Sequence, residues 1–149
     1  RIGQGFDAID SLIPMQAGRY GLPVCIGRVM ASRSDGDVVA HALIDALLAA
    51  AHLGDIGTLF GVGENSDGAG KHGAEMLRTA VSYLKDHGMR PISASVVIIA
   101  NRPKIGTRRM KAEAALSAAI GATTTDGMGF TGSGEGVAAI ANALVEPVE

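Results

Sequence analysis

A long helix that is apolar on almost every side limits how this chain can fold. The run Val38–Leu53 is rich in Ala and Leu, and Ser34 or Asp35 just ahead of it can cap its first turn. A helix without a polar face is stable only where other elements cover it. The sequence therefore predicts a buried central helix with further layers packed around it.

Strands and two more helices are predicted to supply those layers. The predicted strands are Ile2–Phe6, Leu22–Val29 and Ser93–Ala100, the predicted helices are Ala74–His87 and Thr107–Ile120, and the predicted loops include Pro14–Tyr20, Gly54–Lys71 and Asn101–Gly106. The tail Val137–Val145 fits a helix or a strand by its periodicity. Because no internal repeat or low-complexity linker divides the chain, residues 1–149 are predicted to form a single α+β or α/β domain.

Composition and charge argue against several functional classes. With 47% hydrophobic and 19% charged residues, the chain has a folding composition. A net charge of −2, 3% aromatic residues and the absence of Trp disfavour binding to nucleic acid or an anionic membrane. Cys25 is the only cysteine, so an internal disulfide is impossible. No apolar run approaches the ~20 residues that span a bilayer, and Arg1 begins no signal-peptide pattern. We therefore expect a cytoplasmic protein.

His41 is the first candidate for chemistry. It lies one helical turn after Asp37 and one before Asp45, so the three side chains share a face of the predicted helix. It fits a buried histidine that pairs with a carboxylate, or a metal ligand whose other ring nitrogen a carboxylate holds. Asp7, at the end of the first predicted strand, could ligate the same metal or begin a turn. A catalytic zinc ion usually has three protein ligands, so these residues leave both interpretations open.

Asp55 and Lys104 are candidates for contacts with substrate. Asp55 opens a glycine-rich stretch and could accept hydrogen bonds from a sugar hydroxyl, or it could be an ordinary loop aspartate. Lys104 follows a predicted strand, where ligands of open sheets bind, and it could meet a phosphate or remain solvated.

The strongest local signal is the segment Thr123–Gly136, here called the threonine–glycine loop. It contains three consecutive threonines, Asp126 and five glycines. Such a loop can wrap a phosphate with backbone N–H groups and hydroxyls, while Asp126 could hold Mg²⁺ through oxygen. It lacks the Gly-Lys-Ser/Thr ending of a P-loop. The residues alone therefore indicate a protein that binds phosphate or nucleotide, with a possible metal.

These segments, in this order, resemble the 2-C-methyl-D-erythritol 2,4-cyclodiphosphate synthase family along nearly the whole chain. The matching segments are Gly5–Asp7, Ser34–Asp37, His41–Leu43, Asp45–Leu48, Leu53–Gly57, Pro103–Lys104 and Thr123–Gly136. The resemblance implies an α+β domain in which helices cover one face of a mixed β-sheet. It also implies a homotrimer with active sites between neighbouring subunits.

The resemblance further implies a metal-dependent lyase of isoprenoid-precursor biosynthesis by the non-mevalonate pathway. The substrate would be 4-diphosphocytidyl-2-C-methyl-D-erythritol 2-phosphate, whose own 2-phosphate attacks the β-phosphorus of its diphosphate and expels CMP. Because the substrate supplies the nucleophile, the protein has to position two phosphates and neutralise their charge. This agrees with a chain in which we find no Ser, Cys or His nucleophile.

Roles at the metals follow from the resemblance by position. Asp7 and His41 resemble ligands of Zn²⁺, or of another divalent transition metal, that holds the β-phosphate. Asp126 resembles the carboxylate nearest a Mg²⁺ or Mn²⁺ that bridges the diphosphate, and Thr124 resembles a transition-state stabiliser. Thr124 and Asp126 are therefore the implied catalytic residues.

The resemblance also implies a substrate-binding surface. Asp55 and Gly57 would meet the polyol, and Phe60 and Phe130 would wall its pocket. The full implied set is Asp7, Arg33, Ser34, Asp55, Ile56, Gly57, Phe60, Ala100, Pro103, Lys104, Ile105, Gly106, Thr123, Thr124, Thr125, Asp126, Phe130 and Ser133.

Three residues depart from the family pattern. Ile9 stands where the family has the second ligand of an Asp-x-His motif, and an isoleucine cannot bind zinc. Arg33 stands where the family has histidine, and Ser133 stands where it commonly has an arginine that contacts phosphate.

The chain is also shorter than the family between Val29 and Ser34 and between Gly121 and Thr123. The second shortening predicts that a short strand of the family is missing. One hypothesis is that segments of the protein are absent from this sequence at these two places and between Ala8 and Ile9. The third zinc ligand would then lie in an absent segment. If the sequence is complete, there are two alternatives to an active enzyme. One is a relative that binds cytidine nucleotides without turnover, and the other is a structural trimer with an unused cleft.

Overall fold

The computed structural model describes residues 1–10, 37–62, 67, 71, 73–101 and 105–149. Several predictions lie outside these residues, namely the strand Leu22–Val29, the loop Pro14–Tyr20 and the site residues Arg33, Ser34, Pro103 and Lys104.

The strands of the described residues form one mixed sheet. They are β1 (Ile2–Asp10), β2 (Met89–Ile99), β3 (Ala119–Thr123) and β4 (Gly136–Pro147), in the spatial order β1-β4-β2-β3. β4 runs antiparallel to β1 and β2, whereas β2 and β3 run parallel. The carboxyl ends of β1, β2 and β3 and the start of β4 therefore meet at one edge of the sheet. The predicted mixed α+β architecture is confirmed.

The helices of the described residues are α1 (Val38–Ala51), α2 (Ile56–Phe60), α3 (Gly73–Asp86), α4 (Arg109–Leu116) and α5 (Gly129–Ser133). α1 packs against β1, β4 and α3, and α3 also contacts β2. None of these helices has the length and apolar character needed to cross a membrane.

α1 is the buried central helix that the sequence predicts. Eleven of its residues are buried, and its apolar side chains form the middle of the core. Its N-cap differs from the expected Ser34 or Asp35, because Asp37 Oδ1 accepts a hydrogen bond of 2.9 Å from the Ala40 N–H.

Small residues let α1 lie very close to the sheet. A Cβ atom on Gly5 would come within 2.0 Å of the Ala42 carbonyl oxygen, and one on Gly3 within 2.2 Å of the Ala46 oxygen. On β4, the residues that face α1 include Ala139 and Ala141, both fully buried. This close approach brings the end of β1 beside the first turns of α1.

No helix or strand of the described residues covers the opposite side of the sheet. Five of its exposed or partly exposed apolar side chains, here called the open face, are Ile2, Phe6, Val97, Ile140 and Leu144. Strand alternation and the register place them on the face away from α1, where Phe6, Ile140 and Val97 form one row across three strands.

The first and last strands pair along their whole length, from Ile2 opposite Leu144 to Asp10 opposite Gly136. At the outer end of this pair, the Val145 N–H donates to the Arg1 oxygen at 2.8 Å. The Arg1 amino group donates back to the Val145 oxygen at 2.6 Å. The two ends of the described chain therefore lie side by side.

The prediction of one helix over Thr107–Ile120 is wrong. A 3-10 turn at Gly106–Arg108 leads into α4, which ends at Leu116, and Ser117 then adopts φ 51°. The chain continues as β3, which pairs in parallel with Ser95–Ile99 of β2. The predicted loss of the short strand before Thr123 is therefore wrong too. Backbone pairing with β2 has overridden the helix propensity of the alanines in β3.

The remaining predicted elements differ mainly in extent. β1 continues to Asp10, so Asp7 lies inside the strand rather than at its end, and the ambiguous tail is the strand β4. The predicted loop Gly54–Lys71 contains α2, and the threonine–glycine loop contains α5.

Candidate active site

Asp7 and His41 form a carboxylate–histidine pair between β1 and α1. His41 Nδ1 lies 3.3 Å from Asp7 Oδ2, and both side chains are about three-quarters buried. Burial by itself lowers the pKa of His41, but the hydrogen bond and charge of Asp7, with further charge from Asp37 and Asp45, raise it above its ordinary value. The two candidate ligands that the sequence indicates are thus brought together.

The geometry of this pair fits two ligands of one metal ion. Two ligands about 2.1 Å from a tetrahedral zinc ion lie about 3.4 Å apart. The separation of 3.3 Å between His41 Nδ1 and Asp7 Oδ2 is close to this value. The buried Asp7 Oδ2 also has no hydrogen-bond partner of ordinary geometry among the described residues. A divalent ion would satisfy that oxygen.

A third ligand is missing from the part of the chain that the structure describes. Ile9 follows Asp7 on the same side of β1, and its side chain packs against the hydrophobic core. Within the described ranges, no group of three or more His, Cys, Asp or Glu side chains is arranged to hold a metal ion. Two of the three expected ligand positions hold residues that can bind a metal ion, Asp7 and His41, whereas the third holds Ile9.

Asp37 adds a further buried carboxylate near this pair. Burial raises its pKa to about 6, although its hydrogen bond to Ala40 and the charge of His41 act in the opposite direction. Its Oδ2 has no hydrogen-bond partner among the described residues, and it lies where a Cβ atom on Gly73 would clash at 2.1 Å. Gly73 is therefore the residue that lets α3 begin beside this carboxylate.

Asp55 and the start of α2 lie next to α1. The Ile56 N–H donates a hydrogen bond of 2.8 Å to Asp45 Oδ1 on α1. Asp55 Oδ1 accepts from the Thr58 N–H at 2.7 Å and from the Thr58 hydroxyl at 2.8 Å. These bonds lower the pKa of Asp55, whose side chain remains exposed. α2 ends at Phe60, a core residue that is 4% exposed, so little of Phe60 faces a ligand.

A second group of site residues lies at the ends of β2 and β3. The Ala100 N–H donates to the Thr123 oxygen at 3.1 Å, which holds the two strand ends together. Ile105 is buried and begins the 3-10 turn, whereas Gly106 is exposed with φ 36°. The structure thus joins Ala100 to the start of the threonine–glycine loop.

The threonine–glycine loop is held by its own hydroxyl groups. The Thr125 hydroxyl donates to the Met128 oxygen at 2.6 Å and lies 2.9 Å from the hydroxyl of the buried Thr131. Thr124 Oγ1 lies 3.3 Å from Asp126 Oδ1, and Asp126 has φ 53°. These contacts turn the hydroxyl of Thr124 and the carboxylate of Asp126 toward each other on an exposed loop.

The two remaining site residues of this loop lie around α5. Phe130 is half exposed, and its ring reaches back to Gly136, where a Cβ atom would meet it at 2.7 Å. Ser133 is exposed, and its hydroxyl donates to the Phe130 oxygen at 3.2 Å. An uncharged serine whose hydroxyl is used within α5 offers no full positive charge to a phosphate.

Within the described ranges, the two groups of site residues lie apart from each other. Asp7 faces α1, whereas strand alternation places Thr123 on the open side of the sheet. β1 and β3 are the two outer strands of the sheet, so about 14 Å separates them at a strand spacing of ~4.8 Å. A small substrate that needs both groups must extend across the sheet edge or bind between two chains.

Four further side chains support this site, and the sequence does not predict their roles. Asp37, Asp45 and Thr131 lie in segments that resemble the family, but the sequence assigns them no role, and Asn101 carries no motif of its own. Asn101 Nδ2 donates to the Gly132 oxygen and ties β2 to α5. The signal for Asp45 is its helical spacing from His41, but its partner Ile56 is visible only in three dimensions.

A mixed sheet whose edge carries a carboxylate–histidine pair and a hydroxyl-rich loop defines a class of phosphate-handling α+β proteins. The model of the YgbB family matches residues 1–146, so the chain belongs to that family.

Its relatives include proteins named 2-C-methyl-D-erythritol 2,4-cyclodiphosphate synthase. One, from Bifidobacterium longum subsp. infantis, is 58% identical over 168 residues, which cover 99% of this chain and 96% of the relative. Since the chain has 149 residues, that relative carries internal residues that this chain lacks. This agrees with the shortened connections seen in the sequence.

Solved structures of the same family share the fold. A structure of 2C-methyl-D-erythritol-2,4-cyclodiphosphate synthase with CDP bound has a TM-score of 0.78 and 31% identity, over 98% of this chain and all of that one. The bifunctional IspDF of Campylobacter jejuni has a TM-score of 0.83 and 26% identity, over 99% of this chain and 42% of that one.

Proposed function

We propose that this chain cyclises 4-diphosphocytidyl-2-C-methyl-D-erythritol 2-phosphate to 2-C-methyl-D-erythritol 2,4-cyclodiphosphate and releases CMP. The observation that carries the proposal is the match to synthases of that name along 99% of the chain, at 58% identity for one of them. In this proposal residues 1–149 act as one domain, and the protein is a phosphorus–oxygen lyase of the cytoplasm.

The proposed reaction needs no nucleophile from the protein. An oxygen of the substrate's 2-phosphate bonds to the β-phosphorus, while the bond from that phosphorus to the oxygen that leaves with CMP breaks. The protein contributes by holding the two phosphates in line and by stabilising the charge on them. Thr124 and Asp126 are proposed to do this, supported by their adjacent positions on an exposed loop.

Asp7 and His41 are proposed to hold Zn²⁺ or another divalent transition metal. The separation of 3.3 Å between His41 Nδ1 and Asp7 Oδ2, and the absence of an ordinary hydrogen bond to the buried Asp7 Oδ2 among the described residues, support this assignment. A bound ion would neutralise charge on the β-phosphate, as Mg²⁺ or Mn²⁺ near Asp126 would on the diphosphate. With two ligands in place of the usual three, we expect the transition metal to bind less tightly than in a complete site.

A homotrimer with sites between subunits is proposed as the working form. Its support is the open face, with Ile2 78% and Phe6 57% exposed on a flat sheet. A sheet with one uncovered apolar face is stabilised when a second layer packs on it. The separation between Asp7 and the threonine–glycine loop is explained if the two groups meet across an interface.

The alternative is a relative that binds cytidine nucleotide without turnover. Two observations favour it, namely Ile9 at the third ligand position and the uncharged Ser133 in the loop. Both changes remove positive charge from the phosphate site. Such a protein would bind CDP and leave the substrate intact.

Release of CMP from the diphosphocytidyl substrate separates the two functions. We expect the purified chain to release CMP and form the cyclic diphosphate in the presence of Zn²⁺ and Mg²⁺, followed by chromatography. Asp126→Asn should reduce the rate at least about tenfold, because asparagine tolerates the positive φ but carries no charge. The exposed Asp86→Asn on α3 serves as the control with unchanged rate. CDP binding without CMP release would instead identify the binding-only relative.

A further inference from the structure

Asp45 is a half-buried carboxylate that the proposed reaction does not use. It lies on α1 one turn after His41, and its Oδ1 accepts a hydrogen bond of 2.8 Å from the Ile56 N–H. Ile56 is the first residue of α2 and directly follows Asp55. One hydrogen bond therefore joins the helix that carries His41 to the segment that begins with Asp55.

Both sides of this bond are fixed in place. α1 is buried, and a Cβ atom on Gly5 would come within 2.9 Å of Asp45 Cβ, so β1 presses against this part of the helix. At the other side, Asp45 and Asp55 each satisfy a backbone donor in the first turn of α2, those of Ile56 and Thr58.

These hydrogen bonds in the first turn of α2 also orient Asp55 itself. Both of its bonds to Thr58 end on Oδ1, which leaves Oδ2 outside the cap on an exposed side chain. Asp55 is the residue proposed to meet the polyol of the substrate. The bond from Asp45 thus determines where that carboxylate stands relative to Asp7 and His41.

We infer that Asp45 is a positioning residue that holds the polyol-binding segment Asp55–Gly57 in register with the Asp7–His41 pair. The inference rests on the proposed function, because it takes its substrate from there. An error of about 1 Å in the position of a substrate-binding group can cost a hundredfold in rate. Among the described residues, the hydrogen bond of Asp45 goes to Ile56 and not to the threonine–glycine loop or Ala100, so its positioning effect should be confined to the polyol part of the substrate. Asp45 also raises the pKa of His41 by its charge, an effect that a change at Ile56 leaves in place.

Two variants remove the hydrogen bond from opposite sides. Asp45→Ala removes the acceptor, and Ile56→Pro removes the donor at the first position of α2, where proline is well tolerated. Asp55 before it has the extended backbone that a following proline requires. Asp45→Asn retains an acceptor oxygen, and the exposed Asp86→Ala is the control for loss of a carboxylate on a helix.

The readout is the ratio of two affinities measured by calorimetry with a chelator present, so that the substrate is not converted. One is the affinity for the intact substrate and the other is that for CDP, which lacks the methylerythritol group. Asp45→Ala and Ile56→Pro should each weaken substrate binding about tenfold and leave CDP binding within about twofold. The double variant should lose no more than the larger single loss, because both act through one bond. Asp45→Asn should recover most of the loss, and KM should follow the substrate affinity.

Equal losses for substrate and CDP would overturn the inference, because they would indicate a general effect on folding. Additive losses in the double variant, or unchanged substrate affinity in Asp45→Ala, would overturn it too. Failure of the proposed function has a different signature, since the unaltered chain would then bind substrate without releasing CMP. The affinity ratios still decide the role of Asp45 in that case.

Discussion

Asp37 caps α1 with one carboxylate oxygen and keeps the other buried without a hydrogen-bond partner in the described part of the chain. A buried carboxylate in this state is costly when ionised. Burial therefore raises the pKa of Asp37 to about 6. Asp7 and His41 are also partly buried, but they offset each other's charge as a pair.

Asp37 should therefore make the protein less stable as the pH rises. Between about pH 4 and 6 the folded chain holds a proton on Asp37 that the unfolded chain has lost, so this stabilisation is present at low pH and disappears through pH 6. Because folding raises the pKa of this carboxyl from its ordinary value of 3.8 to about 6, the change in stability is about 3 kcal/mol. Asp37→Asn keeps the cap and has no charge, so it should lack this contribution.

Urea unfolding from pH 4.5 to 7.5, with a chelator present, measures the effect. The stability of Asp37→Asn relative to the unaltered chain should rise by about 2 kcal/mol over this range, because part of the total change lies below pH 4.5. Parallel curves would show that Asp37 titrates normally in the folded chain.

At the scale of elements, the sequence predicts α1, α3 and β2 well because each has a strong pattern of its own. It does not predict β3, whose run Ala119–Thr123 becomes a strand only because β2 offers a free edge beside it. The features of the site also divide into those that the sequence predicts and those that it does not. Asp7, His41 and the threonine–glycine loop are visible as motifs, whereas the bond from Asp45 to Ile56 depends on how α1 and α2 pack.

The contact between β1 and α1 gives a prediction at this scale. Gly5→Ala should lower the free energy of unfolding by about 3 kcal/mol, because the new Cβ would lie 2.0 Å from the Ala42 oxygen in a packed interface. It should also weaken metal binding, since β1 carries Asp7. Urea unfolding and zinc titration measure the two effects.

Gly88→Ala is the control for this substitution. Its Cβ would meet nothing within 4 Å, so only the cost of φ +70° remains, about 1 kcal/mol. Equal losses at Gly5 and Gly88 would mean that α1 and β1 can separate without difficulty.

At the scale of the whole molecule, the open face predicts assembly. Val97→Glu introduces a charge in the middle of that face and should convert the proposed trimer to monomers, as measured by light scattering. It should also abolish most CMP release, because the proposed sites need two chains. Val81→Glu on α3 is a matched control, since Val81 is 37% exposed and Val97 39% exposed. A monomeric unaltered chain, or a trimeric Val97→Glu, would contradict the assembly.

The pairing of Arg1 with Val145 has a consequence for engineering the chain. Because the two ends lie side by side on neighbouring strands, a short linker can join them without distorting the sheet. A circular permutant opened at the exposed turn around Gly88, between α3 and β2, should therefore keep the same fold. The same arrangement puts Arg1 and Val145 on the rim of the molecule, away from the strand edge that bears the chemistry.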